Sequence, residues 1–411
     1  MPRRCHVLLG SALALLLITL GYSQEMHLRS LALCSSRYGG GGGWAARLSV
    51  LCAGIAALSL FGCLHFAMSP ARALFVFTDQ ASGRLGYMDE LGRERIPARY
   101  LRAAAFAEGR AVVQLAEEPQ STAFIDATGT VLCRVNLAFE AITFSNERVI
   151  LGDHVLTPAG QALFEVMGPG GGRHEGFSEG LLNVRKNGAY GFVDINGQEV
   201  ITPRFAEARP FAEGLAAVEE MSTMADNEGY VDRHGEWVIP PKFSAAYSFS
   251  EGLAQVRGGY IDKKGTLVIS MEQLSRRLCR NPSCEVRTND FADGLALVEI
   301  WDESHNQFFG FIDHTGAVAI PPRFGRASSF SEGLASAAED GPYGYVDKAA
   351  RWVVRPKFWE AGPFVNGLAR VSMVAGKGDG DGWRPFKVGY VDARGTWVRS
   401  WTELKPPPLL Q

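Results

Sequence analysis

Residues 229–243 read Gly-Tyr-Val-Asp-Arg-His-Gly-Glu-Trp-Val-Ile-Pro-Pro-Lys-Phe, and a second phrase, Phe-Ser-Glu-Gly-Leu-Ala-Gln-Val, follows at Phe249–Val256. An aromatic and a β-branched residue running into Asp-x-x-Gly predict a strand that enters a tight hairpin turn. Asp suits the first turn position because its side chain accepts bonds from the following amides. Gly suits the last because it adopts positive φ at little steric cost. Trp-Val-Ile beyond the turn predicts a second strand. Pro240-Pro241 is expected to end it, since proline brings no amide hydrogen to a ladder.

Both phrases recur. Phe-x-Glu-Gly-Leu stands at Phe177–Leu181, Phe211–Leu215, Phe249–Leu253 and Phe330–Leu334, with near copies at Phe106–Arg110, Phe291–Leu295 and Phe364–Leu368 and an eroded one at Phe144–Val149. Successive Phe positions lie 33 to 42 residues apart, a period typical of solenoids, propellers and arrays. The turn phrase recurs at Gly86–Gly92, Phe124–Gly129, Gly191–Gly197, Gly259–Gly265, Gly310–Gly316, Gly344–Ala350 and Gly389–Gly395. Each unit therefore reads as a three- or four-stranded antiparallel meander. One meander cannot bury a core alone, so neighbours must pack in sequence. The expected fold is all-β, with about eight to nine tandem units in residues 74–400, forming a propeller-like ring or an open β superhelix.

The two phrases in fixed order resemble the WG-repeat family. The resemblance covers roughly residues 74–400, with the best copies at 177–218, 229–256 and 310–337. It implies a β-rich interaction scaffold without a common activity. The stretch 131–160 departs most, because Gly152-Asp-His-Val-Leu lacks the aromatic turn.

Forty-seven glycines and twenty prolines in 411 residues fit a turn-dense β protein. A net charge of −3 without a basic stripe argues against a nucleic-acid partner. Residues 1–73 differ in composition. Arg3 and Arg4 precede an apolar run from Val7 to Leu20, as in a signal peptide. Glycines 39–43 follow, and Arg47 precedes a second apolar run, Leu48–Met68, long enough to cross a bilayer. Arg3/Arg4 and Arg37/Arg47 both favour a cytoplasmic start for the run they precede. Initiation at Met26 resolves that conflict by leaving a single export segment. Cys63 is then a lipidation candidate in a loose Leu60-Phe-Gly-Cys63 lipobox; a plain anchor helix and cleavage near Ala71-Arg-Ala73 are the alternatives. All three place the repeats outside the cytoplasm, in the periplasm or at the cell surface, and the first two keep them on the membrane. Residues 401–411 form a Pro-rich tail. Cys279 and Cys284 share one loop and are a disulfide candidate in an exported protein. Cys133 reads as a small core residue.

The recurring carboxylates Asp194, Asp232, Asp262, Asp313, Asp347 and Asp392, and Glu179, Glu213, Glu251 and Glu332, tempt a catalytic reading. A group repeated in every unit is better explained by a task done in every unit, turn formation, than by a catalytic pair in distinct environments. The histidines have no ligand spacing, and nucleophile-elbow, phosphate-loop and zinc motifs are absent. No cofactor, metal or catalytic residue is expected.

Length varies mostly between Gly-Leu-Ala-x-Val and Gly-Tyr-Val-Asp, at 116–122, 219–228, 299–308, 339–343 and 372–388. Insertions at equivalent positions project from one face of an array. They are acidic, and two carry off-pattern tryptophans. Trp301, Asp302, Glu303, Asp379, Asp381 and Trp383 are the expected binding rim, for a protein or glycan partner of the cell envelope. Met271, Leu274 and Leu278, spaced three and four apart, predict a short amphipathic helix packed on the array. The expected function is a non-catalytic, membrane-tethered extracytoplasmic scaffold. The alternatives are an envelope enzyme with its catalytic groups in the variable loops, or a self-assembling surface protein.

Overall fold

The computed structural model describes residues 73–139, 144–166, 176–222, 226–279, 284–302, 304–376 and 385–403. The expectations for residues 1–72, including Cys63, and for Glu303, Asp379, Asp381 and Trp383, lie outside the described residues. Among those described, no helix is long and apolar enough to cross a membrane.

Every Asp-x-x-Gly phrase makes the same turn. In Asp232–Gly235 the Gly235 amide donates to the Asp232 carbonyl at 2.9 Å, and the Asp232 amide donates to the Glu236 carbonyl at 2.9 Å. The Asp232 carboxylate accepts from the amides of His234 at 2.8 Å and Glu236 at 3.0 Å. Asp89, Asp126, Asp194, Asp262, Asp313, Asp347 and Asp392 repeat that pattern. The departing unit finds its register here. Gly152 and Asp153 form only the short loop between the strands Val149–Leu151 and His154–Leu156. Its repeat turn is Thr157–Gly160, where the Thr157 hydroxyl replaces the carboxylate.

Strands between the turns pair in chain order into seven antiparallel sheets. They follow one another round a ring, a seven-bladed β-propeller with almost no helix. Nine units fill seven sheets because two strands, Glu94–Ala103 and Glu199–Ala208, are long enough to end one unit and begin the next. The six-stranded first and third sheets therefore hold two units each, and the three-stranded second sheet, Val149–Glu165, holds one. The ring closes by packing. Phe75, Phe77 and Met88 of the first sheet bury against Leu368, Phe386, Val388 and Trp401 of the seventh. Arg399 crosses this seam, 3.5 Å from the Phe77 ring centroid and 3.7 Å from Glu94.

Pro240-Pro241 does not end its strand. Trp237–Phe243 runs through both prolines, and Val318–Phe324 runs through Pro321-Pro322. The pairing jumps from Tyr230↔Ile239 to Glu228↔Phe243, so Pro240, Pro241 and Lys242 all face Gly229 across a bulge. Amides in the bulge need no ladder partner, which is why proline is tolerated there. A Cβ on Gly229 would lie 2.5 Å from the Ile239 carbonyl oxygen, so only glycine lets the two backbones approach. Where serine replaces proline, at Ser270 and Ser400, the ladder continues without that jump.

The recurrent Phe of Phe-x-Glu-Gly buries against the aromatic of Gly-Tyr/Phe-Val-Asp in the preceding unit, so each pair spans the joint between two units. Ring centroids are 4.8 Å apart for Phe192–Phe211, 4.9 Å for Tyr230–Phe249, 4.7 Å for Phe311–Phe330 and 4.8 Å for Tyr345–Phe364. Each such pair contributes about 0.5–1.5 kcal/mol beyond its buried area.

A helix spans Met271–Leu278, capped by the Ser270 side chain, with Leu274 buried and Met271 and Leu278 against the same core. It occupies the place of the Pro-Pro-Lys-Phe segment. Elsewhere the cation of that segment lies over its neighbouring ring and donates to the carbonyl of the next unit's turn, as Lys242 does to Gly265 at 3.1 Å and Lys357 to Gly395 at 3.0 Å. Here Arg277 of the helix does so, reaching the Gly316 carbonyl at 2.8 Å.

Candidate functional site

The repeated glutamates do more than shape a turn. Glu108, Glu179, Glu213, Glu251 and Glu332 sit at φ of 52–54°, and their carboxylates leave their own unit. Glu213 accepts from the Gly252 amide at 3.2 and 3.1 Å, and Glu251 from the Gly294 amide at 3.1 and 2.9 Å. Glu179 receives Gly214, and Glu332 receives Asn366 and Gly367. Asp293 replaces Glu in one unit and receives the Gly333 amide. The residue after the turn Asp adds a contact in three units: Lys263 lies 3.1 Å from Glu213, the His314 imidazole 3.2 Å from Glu251, and Lys348 3.0 Å from Asp293. The hydroxyls of Ser178, Ser250 and Ser331 run in parallel, donating to the carbonyls of Phe211, Phe291 and Phe364 at 2.6, 2.7 and 2.6 Å. These residues form a clamp between units. Both families of recurring carboxylate are thus occupied by backbone amides, one within the unit and one across the joint.

The turn carboxyls of Asp89, Asp126, Asp262, Asp313, Asp347 and Asp392 are held below the usual carboxylate range. Burial pushes Asp89 up, but the Arg93 amide and guanidinium and the Leu91 amide outweigh it and hold the carboxyl at about 2. Asp313 is lowered chiefly by the Thr315 hydroxyl, and Asp347 by the Arg351 guanidinium.

The variable connections all leave their sheets at the end opposite the Asp-x-x-Gly turns, as antiparallel alternation requires. Part of the expected rim is regular structure. Leu295–Trp301 and Gln307–Ile312 pair through Glu299↔Phe309, Ile300↔Phe308 and Trp301↔Gln307, so most of 299–308 is an extended hairpin. Asp302 closes it by the repeat's own turn chemistry, accepting from the amides of Ser304 and Asn306 at 2.8 Å each. Trp301 is half-buried, and its Nε1 meets no partner among the described residues. Other loop acids are also engaged: Glu219 accepts from Asn227 at 2.9 Å, and Glu228 from the Ala246 amide at 2.8 Å. Cys279 and Cys284 form a disulfide on this end, with Cα atoms 5.6 Å apart.

Between the sixth and seventh sheets, on the variable-loop end, lies a cleft of about 440 Å³ lined by Arg326, Tyr343, Lys357, Trp359, Glu360 and Val374. Two variable connections, 339–343 and the one leaving Val374, border it. Trp359 is 56% exposed, with its ring edge-on to Phe386 at 5.9 Å. Tyr343 lies beneath the Arg326 guanidinium, 4.7 Å from its centroid, and Arg326 in turn donates to the Gly341 carbonyl. Glu360 is half-buried; its carboxyl is pushed up by burial and accepts from the Ser372 hydroxyl at 3.3 Å. The cleft thus offers an exposed indole, a second aromatic and one under-solvated carboxyl. Sequence reading passed over Trp359. Its signal was present: it follows Lys357-Phe358, where other units carry Ser244, Gly325, Ala206 or Leu101.

A second, polar groove is lined by Arg99, Glu117, Gly129 and Arg134. Its cations are already engaged, Arg99 by the Gly129 carbonyl at 2.6 Å and Arg134 by Glu118 at 3.4 Å. Among the described residues, no three His, Cys, Asp or Glu side chains are placed to hold a metal ion.

Comparison with curated proteins finds no match. Among solved structures the chain is similar to KlHsv2 with loop 6CD replaced by a Gly-Ser linker. The identity is 9% and the TM-score 0.33, over 72% of this chain and 99% of that one; a likeness of that size carries no argument. The family model for the WG containing repeat matches at residues 86–117, 190–220, 229–257, 309–341 and 343–377, each on units of the kind described above. The ring of clamped meanders is thus a propeller in which five stretches are recognised as WG containing repeats.

Proposed function

We propose that this protein is a non-catalytic binding scaffold, tethered to the membrane by its N-terminal segment with the repeats outside the cytoplasm. It meets a protein or glycan partner of the cell envelope at its variable-loop end. One observation carries the reading: the repeated carboxylates are consumed in turns and clamps, while the Tyr343–Trp359 cleft keeps an aromatic surface that is exposed among the described residues. Large amphipathic aromatics in a concave, partly desolvated setting are the usual anchors of recognition. The export reading rests on the apolar runs at Val7–Leu20 and Leu48–Met68 and on the Cys279–Cys284 disulfide, which suits an oxidising compartment.

The test is site-specific photo-cross-linking in intact cells of the native host. One photoreactive residue replaces Asp340, beside the cleft, and another replaces His234 at an opposite turn. A discrete adduct from position 340 that disappears with Trp359→Ala, and none from 234, is the expected result. Equal labelling from both positions, or labelling indifferent to Trp359, refutes the cleft. External protease should degrade the repeats once the outer barrier is opened; repeats that survive while the cell interior stays sealed refute the export.

A further inference from the structure

The last described strand, Trp397–Glu403, ends beside this cleft. In the seventh sheet Val374, Phe386 and Glu403 stand in one cross-strand row. Val374 lines the cleft, and Phe386 carries the edge-on contact with Trp359. Two strand spacings, about 10 Å, separate Glu403 from Val374. The sequence leaving Glu403 is Leu-Lys-Pro-Pro-Pro-Leu-Leu-Gln at 404–411. Three consecutive prolines hold a chain in polyproline II, which advances about 3.1 Å per residue. Some four residues therefore bring it to the row of Val374, and the prolines can lie across the cleft.

The chemistry matches as well as the reach. Polyproline II loses little conformational entropy on docking and is recognised by aromatic-lined grooves. Trp359 and Tyr343 supply two such surfaces. The two cations lining the cleft are already committed to carbonyls, Arg326 to Gly341 and Lys357 to Gly395. That leaves Glu360 as the charge facing an incoming ligand, and Lys405 is the one charge in the departing segment.

We propose that the Tyr343–Trp359 cleft is a polyproline-recognition site and that its resident occupant is this chain's own segment 404–411. The prolines pack on Trp359 and Tyr343, and Lys405 lies against Glu360. This rests on the cleft being the binding site, and it makes the segment a built-in competitor for any outside partner. Because the segment is tethered, its effective concentration is of millimolar order, so weak intrinsic affinity suffices for occupancy.

The test is hydroxyl-radical footprinting at Trp359 in the full chain, read by mass spectrometry, with Trp237 of the third sheet as internal reference. Wild type is compared with Pro406→Ala/Pro407→Ala/Pro408→Ala, whose changes lie beyond the last strand of the ladder. Oxidation of Trp359 should rise several-fold in the variant, with Trp237 unchanged, and an excess of synthetic peptide 404–411 should restore protection. Equal oxidation in both proteins overturns the proposal, and so does a rise that the peptide does not reverse. Either result leaves the outside-partner reading standing, because that is decided by the cross-linking at position 340.

Discussion

Substituting the clamp glutamates decides whether the recurring acids are structural. Glu213 is the clearest case: both carboxylate oxygens face the Gly252 amide, and Lys263 donates to its carboxylate at 3.1 Å and to its carbonyl at 2.9 Å. A hydrogen bond to a charged group is worth about 1.5–3 kcal/mol net. The Glu213 side chain is 31% exposed and Lys263 46% exposed, so solvent screening reduces the gain to about 1–1.5 kcal/mol. Glu213→Ala keeps a Cβ at the same positive φ, so backbone strain cancels and the difference reports the clamp alone. Glu213→Gln retains an acceptor and should cost about half as much. The clamps at Glu179, Glu213, Glu251 and Glu332 join different pairs of units, so their effects should be close to additive. The fourfold alanine variant should therefore lose about 4–6 kcal/mol, a large share of an ordinary domain's stability. Equilibrium urea unfolding, followed by far-ultraviolet circular dichroism and tryptophan fluorescence, measures this directly. A fourfold variant within about 1 kcal/mol of wild type would refute the clamp and return these acids to the list of functional candidates.

Two further expectations follow from the bulge and the turns. Gly229→Ala places a Cβ 2.5 Å from the Ile239 oxygen and should cost about 3 kcal/mol or more, whereas Gly214→Ala, at φ +87° with open space around it, should cost about 1–2 kcal/mol; thermal unfolding of the pair tests the order. Asp89 titrates at about 2 in the folded protein, below its unfolded value, so its contribution is present above about pH 4 and is lost as pH falls through 2. Asp89→Asn should thus be less stable than wild type at neutral pH, with the gap closing towards pH 2 in urea titrations; a gap independent of pH would contradict the assignment.

Local chemistry made the units legible. Asp-x-x-Gly and the aromatic before it dictate a hairpin within seven residues, and the helix at Met271–Leu278 announces itself by the spacing of Met271, Leu274 and Leu278. What escaped the sequence depends on partners one unit away. The cross-unit task of Glu213 is fixed by an amide 39 residues later. The passage of the strand through Pro240-Pro241 depends on a bulge opposite Gly229, which neither phrase encodes alone. Of the expected rim, Trp301 and Asp302 lie on an extended hairpin, and Asp302 is absorbed by its turn. Trp359 was hidden because it directly abuts the repeat phrase Lys357-Phe358.

The ring's seam sets how the protein would meet mechanical load. Among the described residues no ladder joins the first sheet to the seventh; side chains and Arg399 alone hold them together. The chain enters the ring at this seam, through the four-residue edge strand Phe75–Thr78, and leaves it through Trp397–Glu403. Tension applied from the N-terminal side is therefore borne first by four residues paired on one side only. Its first consequence would be to uncover Phe77, Met88 and Trp401, while the clamped joints elsewhere stay unloaded.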